Sequence, residues 1–133
     1  MIPPLDEHGY LPPGVHPATL EEVIERFGHG SEQREAQAQS LRWLLPLCHN
    51  AGIARLLLNG SFVTGKDEPN DVDCVALQGL DYKAQSPSAA ELRQGLPFIE
   101  LKIVSQTDYD RFRDVVFASD RDMIAKGVIE VFI

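Results

Sequence analysis

The chain has little positive charge and little cysteine. Its 133 residues carry 12 Lys and Arg against 20 Asp and Glu, for a formal net charge of −8. Non-specific nucleic-acid binding needs clustered cations that neutralise phosphates, so this balance argues against such a function. The two cysteines, Cys48 and Cys74, are too few for a disulfide framework and lie in apolar runs. We therefore expect two buried thiols in a reducing cytoplasm.

Long apolar runs are also missing. None approaches the ~20 residues needed to span a bilayer, and the start of the chain has no basic and apolar signal pattern. We therefore expect a cytoplasmic protein without a membrane partner.

A composition of 44% apolar residues supports one buried core. The Pro- and Gly-rich residues 1–17 predict an extended N-terminal arm, followed by a single domain at residues 18–133.

Hydrophobic periodicity and capping patterns predict four helices and four strands. Thr19 and Glu22 form a capping-box pattern at the start of the first helix. The predicted helices lie at residues 19–28, 31–49, 88–94 and 107–117, and the strands at 54–58, 71–77, 98–104 and 128–133. This order predicts an α/β (α+β) fold with a small mixed, twisted sheet and helices on one side. The apolar last strand is a candidate edge strand that pairs between subunits of a homodimer.

The most informative motif is Asp71-Val72-Asp73 at the start of the second predicted strand. Alternation along a strand places Asp71 and Asp73 on one face, while Val72 and Cys74 point to apolar packing. Two like charges held together favour a bound cation. Mg²⁺ is typically held by one or two carboxylates together with substrate phosphates, so the motif indicates nucleotide chemistry.

The loop before this strand, residues 60–66, satisfies most of the P-loop pattern G-x4-G-K. A P-loop has Ser or Thr at the next position, where this chain has Asp67. Pro69 would also break the long helix that a P-loop opens. Both departures argue against a P-loop.

Two interpretations of Gly60-Ser61 remain. The pair alone is typical of a plain β-turn capped by Ser. The alternative is a phosphate site, in which Gly60 lets the backbone approach a phosphate and Ser61 donates its hydroxyl and amide. The downstream Asp-x-Asp favours the phosphate site, with Thr64 and Lys66 at its border.

The chain has a Gly-Ser pair at residues 60–61 and, after nine intervening residues, Asp71-Val72-Asp73. This pattern resembles that of the nucleotidyltransferase superfamily typified by DNA polymerase beta, in particular its minimal bacterial members. Most of the chain is similar to a small uncharacterised bacterial family with that fold, through the segments 11–14, 60–64, 69–73 and 126–129. The resemblance implies a nucleotidyltransferase fold and two Mg²⁺ ions held by Asp71 and Asp73. A third carboxylate on a neighbouring strand would complete the site and help activate the attacking hydroxyl.

Glu100 is the favoured third carboxylate, because it lies in an apolar strand where an unpaired charge is costly. Glu130 has the same local context and is the second candidate. The simpler alternative is that either acid faces solvent, or that Glu100 pairs with Lys102, which shares its face. Lys102 is also a candidate contact to the triphosphate.

The implied activity is Mg²⁺-dependent transfer of a nucleoside monophosphate from NTP to a hydroxyl of a protein, nucleic acid or small molecule. The implied catalytic and metal residues are Asp71, Asp73 and Glu100, and the implied nucleotide-binding residues are Gly60, Ser61, Thr64 and Lys66. The alternative is a catalytically inactive binding protein with the same fold, such as the antitoxin-like partner of a toxin. A protein partner that supplies the acceptor fits both functions.

Overall fold

In the computed structural model, which describes residues 1–133, five strands form one mixed sheet in the order β1-β5-β2-β3-β4. The outer pairs, β1 with β5 and β3 with β4, are parallel, whereas β2 is antiparallel to both of its neighbours. The strands are β1 Gly14–Ala18, β2 Ile53–Asn59, β3 Val72–Gln78, β4 Ile99–Val104 and β5 Gly127–Phe132.

Four helices accompany the sheet: α1 Leu20–Phe27, α2 Glu32–Ala51, α3 Pro87–Gln94 and α4 Gln106–Arg111. The predicted capping box begins α1, since the Thr19 hydroxyl accepts from the Glu22 amide and the Glu22 carboxylate accepts from the Thr19 amide. A 3₁₀ turn at Ser61–Val63 follows β2, and a π-helical turn at Phe112–Val116 extends α4. No helix combines the length and apolar character needed to cross a bilayer.

The two faces of the sheet have separate apolar clusters because side chains alternate along each strand. In β2, Leu56 and Leu58 join the larger cluster beneath α1, α2 and α3, whereas Leu57 joins a smaller one with Tyr109 of α4. The predicted α/β fold with a mixed, twisted sheet is confirmed. Three helices share one face as predicted, and α4 covers part of the other face.

The end of the predicted N-terminal arm, together with Ala18, forms the strand β1, which was not predicted from the sequence. It pairs in parallel with β5, with Gly14 opposite Gly127 and Ala18 opposite Val131. The predicted edge position of the last strand is therefore wrong, because β1 covers one side of β5 and β2 the other. The edge strands are β1 and β4, so β5 gives no support to the homodimer prediction.

Candidate functional site

The Gly-Ser loop leaves β2 through a backbone conformation that favours glycine. Gly60 has φ 83° and ψ −169°, a region that residues with a Cβ rarely adopt. The 3₁₀ turn then closes through the Val63 amide, which donates to the Gly60 carbonyl (3.3 Å). The Thr64 hydroxyl donates to the Ser61 carbonyl (2.7 Å) and accepts from the Lys66 amide (3.2 Å). The structure thus uses the Thr64 hydroxyl to shape the loop.

A buried arginine holds this loop in place. Arg34, near the start of α2, is 7% exposed, and burial lowers the pKa of its guanidinium, an effect that Asp67 opposes. The guanidinium donates to four backbone carbonyls at 2.6–3.0 Å, those of Phe27, Phe62, Thr64 and Lys66. Three of these carbonyls belong to the Gly-Ser loop, so one side chain fixes its course.

Two glutamines of α2 continue this support toward the acidic strand. Gln33 and Gln37 both donate from Nε2 to the Pro69 carbonyl, at 3.0 and 2.7 Å. Both also donate to the Asn70 carbonyl, at 3.3 and 3.1 Å. The chain therefore enters β3 at a defined position, with Val72 and Cys74 in the apolar core as predicted.

The structure brings Asp73 and Glu100 together. They are direct partners in the parallel pairing of β3 with β4, and both line one cavity. Burial and the neighbouring Glu100 carboxylate raise the pKa of Asp73 above its ordinary value of 3.8, and Lys102 and Lys126 oppose the rise. The Glu100 side chain is 60% exposed and its Oε1 lies 3.7 Å from the Lys102 ammonium, so the simpler alternative, a solvent-facing Glu100 paired with Lys102, is present in the structure beside the acid pair.

A polar row crosses three strands at this position. In the pairing of β2 with β3, Asn59 is the direct partner of Asp73, so Asn59, Asp73 and Glu100 share one face. The Asn59 side chain is 5% exposed and its Oδ1 has no hydrogen-bond partner in the chain. A buried oxygen without a donor is uncommon in folded proteins, and it lies beside the carboxylate pair.

Asp71 lies one residue before β3 and is exposed. No group of three or more His, Cys, Asp or Glu side chains is arranged to hold a metal ion. Carboxylate oxygens are the ligands that hard divalent cations prefer, and Asp73 and Glu100 are the two predicted ligands that the structure places side by side at one cavity. The sequence predicted three carboxylate ligands, Asp71, Asp73 and Glu100, and the structure does not bring all three together.

Glu130 has other partners. Its Oε2 accepts from the Tyr109 hydroxyl (2.6 Å), and its Oε1 lies 3.4 Å from the Arg55 guanidinium. Its side chain is 13% exposed. Glu130 therefore links α4 to the sheet, and of the two candidate third acids only Glu100 lies beside Asp73.

Two cavities lie near the acid pair, one lined by the Gly-Ser loop and the other by Asp73 and Glu100 themselves. The first, of about 490 Å³, contains all four predicted nucleotide-binding residues. Its lining residues are His8, Gly9, Tyr10, Gly60, Ser61, Thr64, Gly65, Lys66 and Lys126. The second, of about 260 Å³, joins the acid pair to the π-helical turn and includes Lys102, whose ammonium is 3.7 Å from Glu100. A Cβ on Gly60 would clash with Asp73 Oδ2, so the Gly-Ser loop and the acid pair are in contact.

Among the lining residues that were not predicted to bind nucleotide, three have polar side chains: His8, Tyr10 and Lys126. The first two lie in the N-terminal arm, where nothing local indicates a site. Lys126 directly precedes β5 and belongs to no recognisable motif. The structure assembles these residues from the two ends of the chain.

The sequence matches a protein family described as a family of unknown function (DUF6932) over residues 3–132, and the chain belongs to that family. No curated protein and no solved structure matched the sequence.

Proposed function

We propose that this member of the DUF6932 family is a Mg²⁺-dependent nucleotidyltransferase that transfers a nucleoside monophosphate from NTP to an acceptor hydroxyl. One observation carries the proposal: the Asp73 carboxylate lies in contact with the Gly-Ser loop on one side and beside Glu100 on the other. Phosphate donors and paired carboxylates therefore meet at one point, which is the arrangement that phosphoryl transfer requires.

In this proposal one set of residues binds the NTP phosphates and another acts on the acceptor hydroxyl. The Ser61 hydroxyl, the loop backbone and Lys66 line the cavity that suits the phosphates. Glu100, at the second cavity, is placed to accept the proton of the attacking hydroxyl. The hydroxyl oxygen bonds to the α-phosphorus, the bond from that phosphorus to the bridging oxygen breaks, and pyrophosphate leaves with the electron pair. Mg²⁺ held by Asp73 and Glu100 would neutralise the negative charge of the phosphates.

The test compares Asp73→Asn with a matched control. Asp81→Asn makes the same chemical change at an exposed site beyond the opposite end of β3. Mg²⁺ with NTP at about 100 times Kd should stabilise the wild type by about 2.7 kcal/mol, which raises Tm by several degrees. Asp81→Asn should keep this shift and Asp73→Asn should lose it. Equal shifts in the two variants, or none in the wild type, would reject the site.

Pyrophosphate release separates turnover from binding. With NTP, Mg²⁺ and a protein acceptor captured with this chain, an active enzyme should release pyrophosphate and leave a nucleotide-mass adduct on the acceptor. Glu100→Gln should lower kcat, because the proton of the hydroxyl then lacks its acceptor.

A second candidate function is a binding protein with this fold and no turnover, acting as the antitoxin-like partner of a toxin. The observation that favours it is the lack of any cluster of three metal-binding side chains. In that case the captured partner stays unmodified, and neither Mg²⁺ nor Asp73→Asn changes its affinity.

A further inference from the structure

The cavity beside the Gly-Ser loop differs in charge from four other cavities on the surface. It is lined by two lysines and a histidine, and none of its nine lining residues is acidic. Each of four other surface cavities has at least one Asp or Glu in its lining. In a chain with 20 acidic and 12 basic residues, a cavity without carboxylates is a local concentration of positive charge, which attracts anions.

Lys126 is the less exposed of the two lysines. It is half-buried, and its ammonium forms no ion pair with any carboxylate of the chain. Burial lowers the pKa of Lys126, while the more distant carboxylates of Asp73 and Asp120 favour its charged form. Asp120 is itself held by the Tyr10 hydroxyl (2.6 Å). A half-buried cation without a contacting anion is costly, and an anionic ligand would compensate it.

The N-terminal arm forms a fixed wall of this cavity. The Gly65 amide donates to the Gly9 carbonyl (3.0 Å), which ties the arm to the Gly-Ser loop. The Gly127 amide donates to the Leu11 carbonyl (2.9 Å), which ties it to the residue after Lys126. The arm is thus hydrogen-bonded to the segments on both sides of the cavity.

We propose that this cavity is a polyphosphate site in which Lys126 is the specificity-determining cation and the N-terminal arm is the outer wall. Two lysines from separate segments and the Ser61 hydroxyl, spread over about 490 Å³, match a ligand with several charged groups better than a single phosphate. The identification of this ligand with the triphosphate of NTP rests on the proposed function. The binding of a polyphosphate rests on the cavity alone.

The probe is sodium tripolyphosphate, which has no base, sugar or transferable group, measured by calorimetry without divalent cations. The wild type should bind it, Lys126→Gln should weaken Kd at least tenfold, and Lys126→Arg should retain most of the affinity. Lys83→Gln is the matched control, because Lys83 is exposed and outside every cavity described above; its Kd should equal that of the wild type. No binding by the wild type, or an unchanged Kd for Lys126→Gln, would overturn the proposal.

Two combinations of results keep this inference separate from the proposed enzyme. If tripolyphosphate binds in the expected pattern but NTP yields no pyrophosphate, the site stands and the enzyme does not. If NTP is turned over while Lys126→Gln keeps the wild-type Kd for tripolyphosphate and the wild-type KM for NTP, the enzyme stands and this site does not.

Discussion

Gly60 and Asp73 are in direct contact, and the absence of a side chain on Gly60 leaves the space that the Asp73 carboxylate occupies. Gly60 directly follows β2 and begins the turn, and Asp73 lies on the neighbouring strand β3. This contact joins the Gly-Ser loop to the acidic strand. It also requires glycine twice, for the positive φ and for the missing Cβ.

Gly60→Ala should therefore cost more than backbone strain alone. Gly95 provides the control, because its φ of 91° and ψ of 158° are similar while nothing lies within 4 Å of an added Cβ. We expect Gly95→Ala to lower the free energy of unfolding by about 1–3 kcal/mol, and Gly60→Ala to lower it further and to weaken Mg²⁺-dependent NTP binding. Urea titration and calorimetry measure the two effects. Equal losses of stability with unchanged NTP binding would show that the contact has no role.

Arg34→Lys should loosen the Gly-Ser loop. A lysine cannot replace a planar guanidinium that donates to four carbonyls, so we expect a loss of about 2–4 kcal/mol in the free energy of unfolding. Hydrogen exchange should accelerate at residues 60–66 more than in α3. Arg42→Lys is the control, since Arg42 is exposed and its nearest carboxylate oxygen is 3.9 Å away; it should change stability by less than about 0.5 kcal/mol. A similar small change for Arg34→Lys would contradict the assigned role.

Tyr109→Phe tests the structural role of Glu130. The Tyr109 side chain is fully buried, and its hydroxyl donates to Glu130 Oε2 at 2.6 Å. Removing the donor leaves a mostly buried carboxylate with one weaker partner, so we expect a loss of about 1–2 kcal/mol. Tyr82→Phe removes a hydroxyl that has no partner in the chain and should be nearly neutral. Neither variant should change Mg²⁺-dependent binding, and a selective loss of that binding in Tyr109→Phe would instead place Glu130 in the site.

The pair Tyr10 and Asp120 predicts a pH dependence. The Tyr10 hydroxyl is the largest cause that lowers the pKa of Asp120 below its ordinary value of 3.8, followed by the backbone amide of Ile124. An acid whose pKa is lower in the folded state than in the unfolded state stabilises the fold at pH values above its unfolded-state pKa. This stabilisation is lost as the pH falls through its folded-state pKa.

Tyr10→Phe should therefore be less stable than the wild type at pH 7, and the difference should shrink as the pH falls below 3.8. Thermal unfolding at a series of pH values between neutral and strongly acidic measures this. A difference in Tm that stays constant with pH would show that Asp120 ionisation is not coupled to Tyr10.

Local patterns were enough for most of the elements. The capping box of Thr19 and Glu22 and the left-handed Gly52 at the end of α2 act within a few residues of the chain, so the helix ends could be predicted closely. The strand β1 could not, because it has Pro17 near its end and its hydrogen bonds go to a segment more than 100 residues later. Its stability comes from that partner and not from its own sequence.

The site divides in the same way. Gly60, Ser61 and Asp73 could be selected because turn chemistry and strand alternation are local, and Glu100 because the resemblance to nucleotidyltransferases implies a third carboxylate. The pairing of Asp73 with Glu100, rather than any contact with Glu130, depended on which strands became neighbours in the sheet. Arg34 and Lys126 carry no local sign of their roles, since their contacts and cavity lining come from segments distant in sequence.

By itself, then, the order of residues determined where the chain turns, which side chains alternate to which face and which residue types are suited to phosphate and metal chemistry. These properties follow from the backbone and from neighbours a few positions away. Only the tertiary structure decided that the two ends of the chain meet at the Gly-Ser loop, that β5 is interior and that a cavity without carboxylates forms in an acidic protein. Those features depend on the free energy of packing between segments that are distant in sequence, which cannot be read from any short stretch of residues.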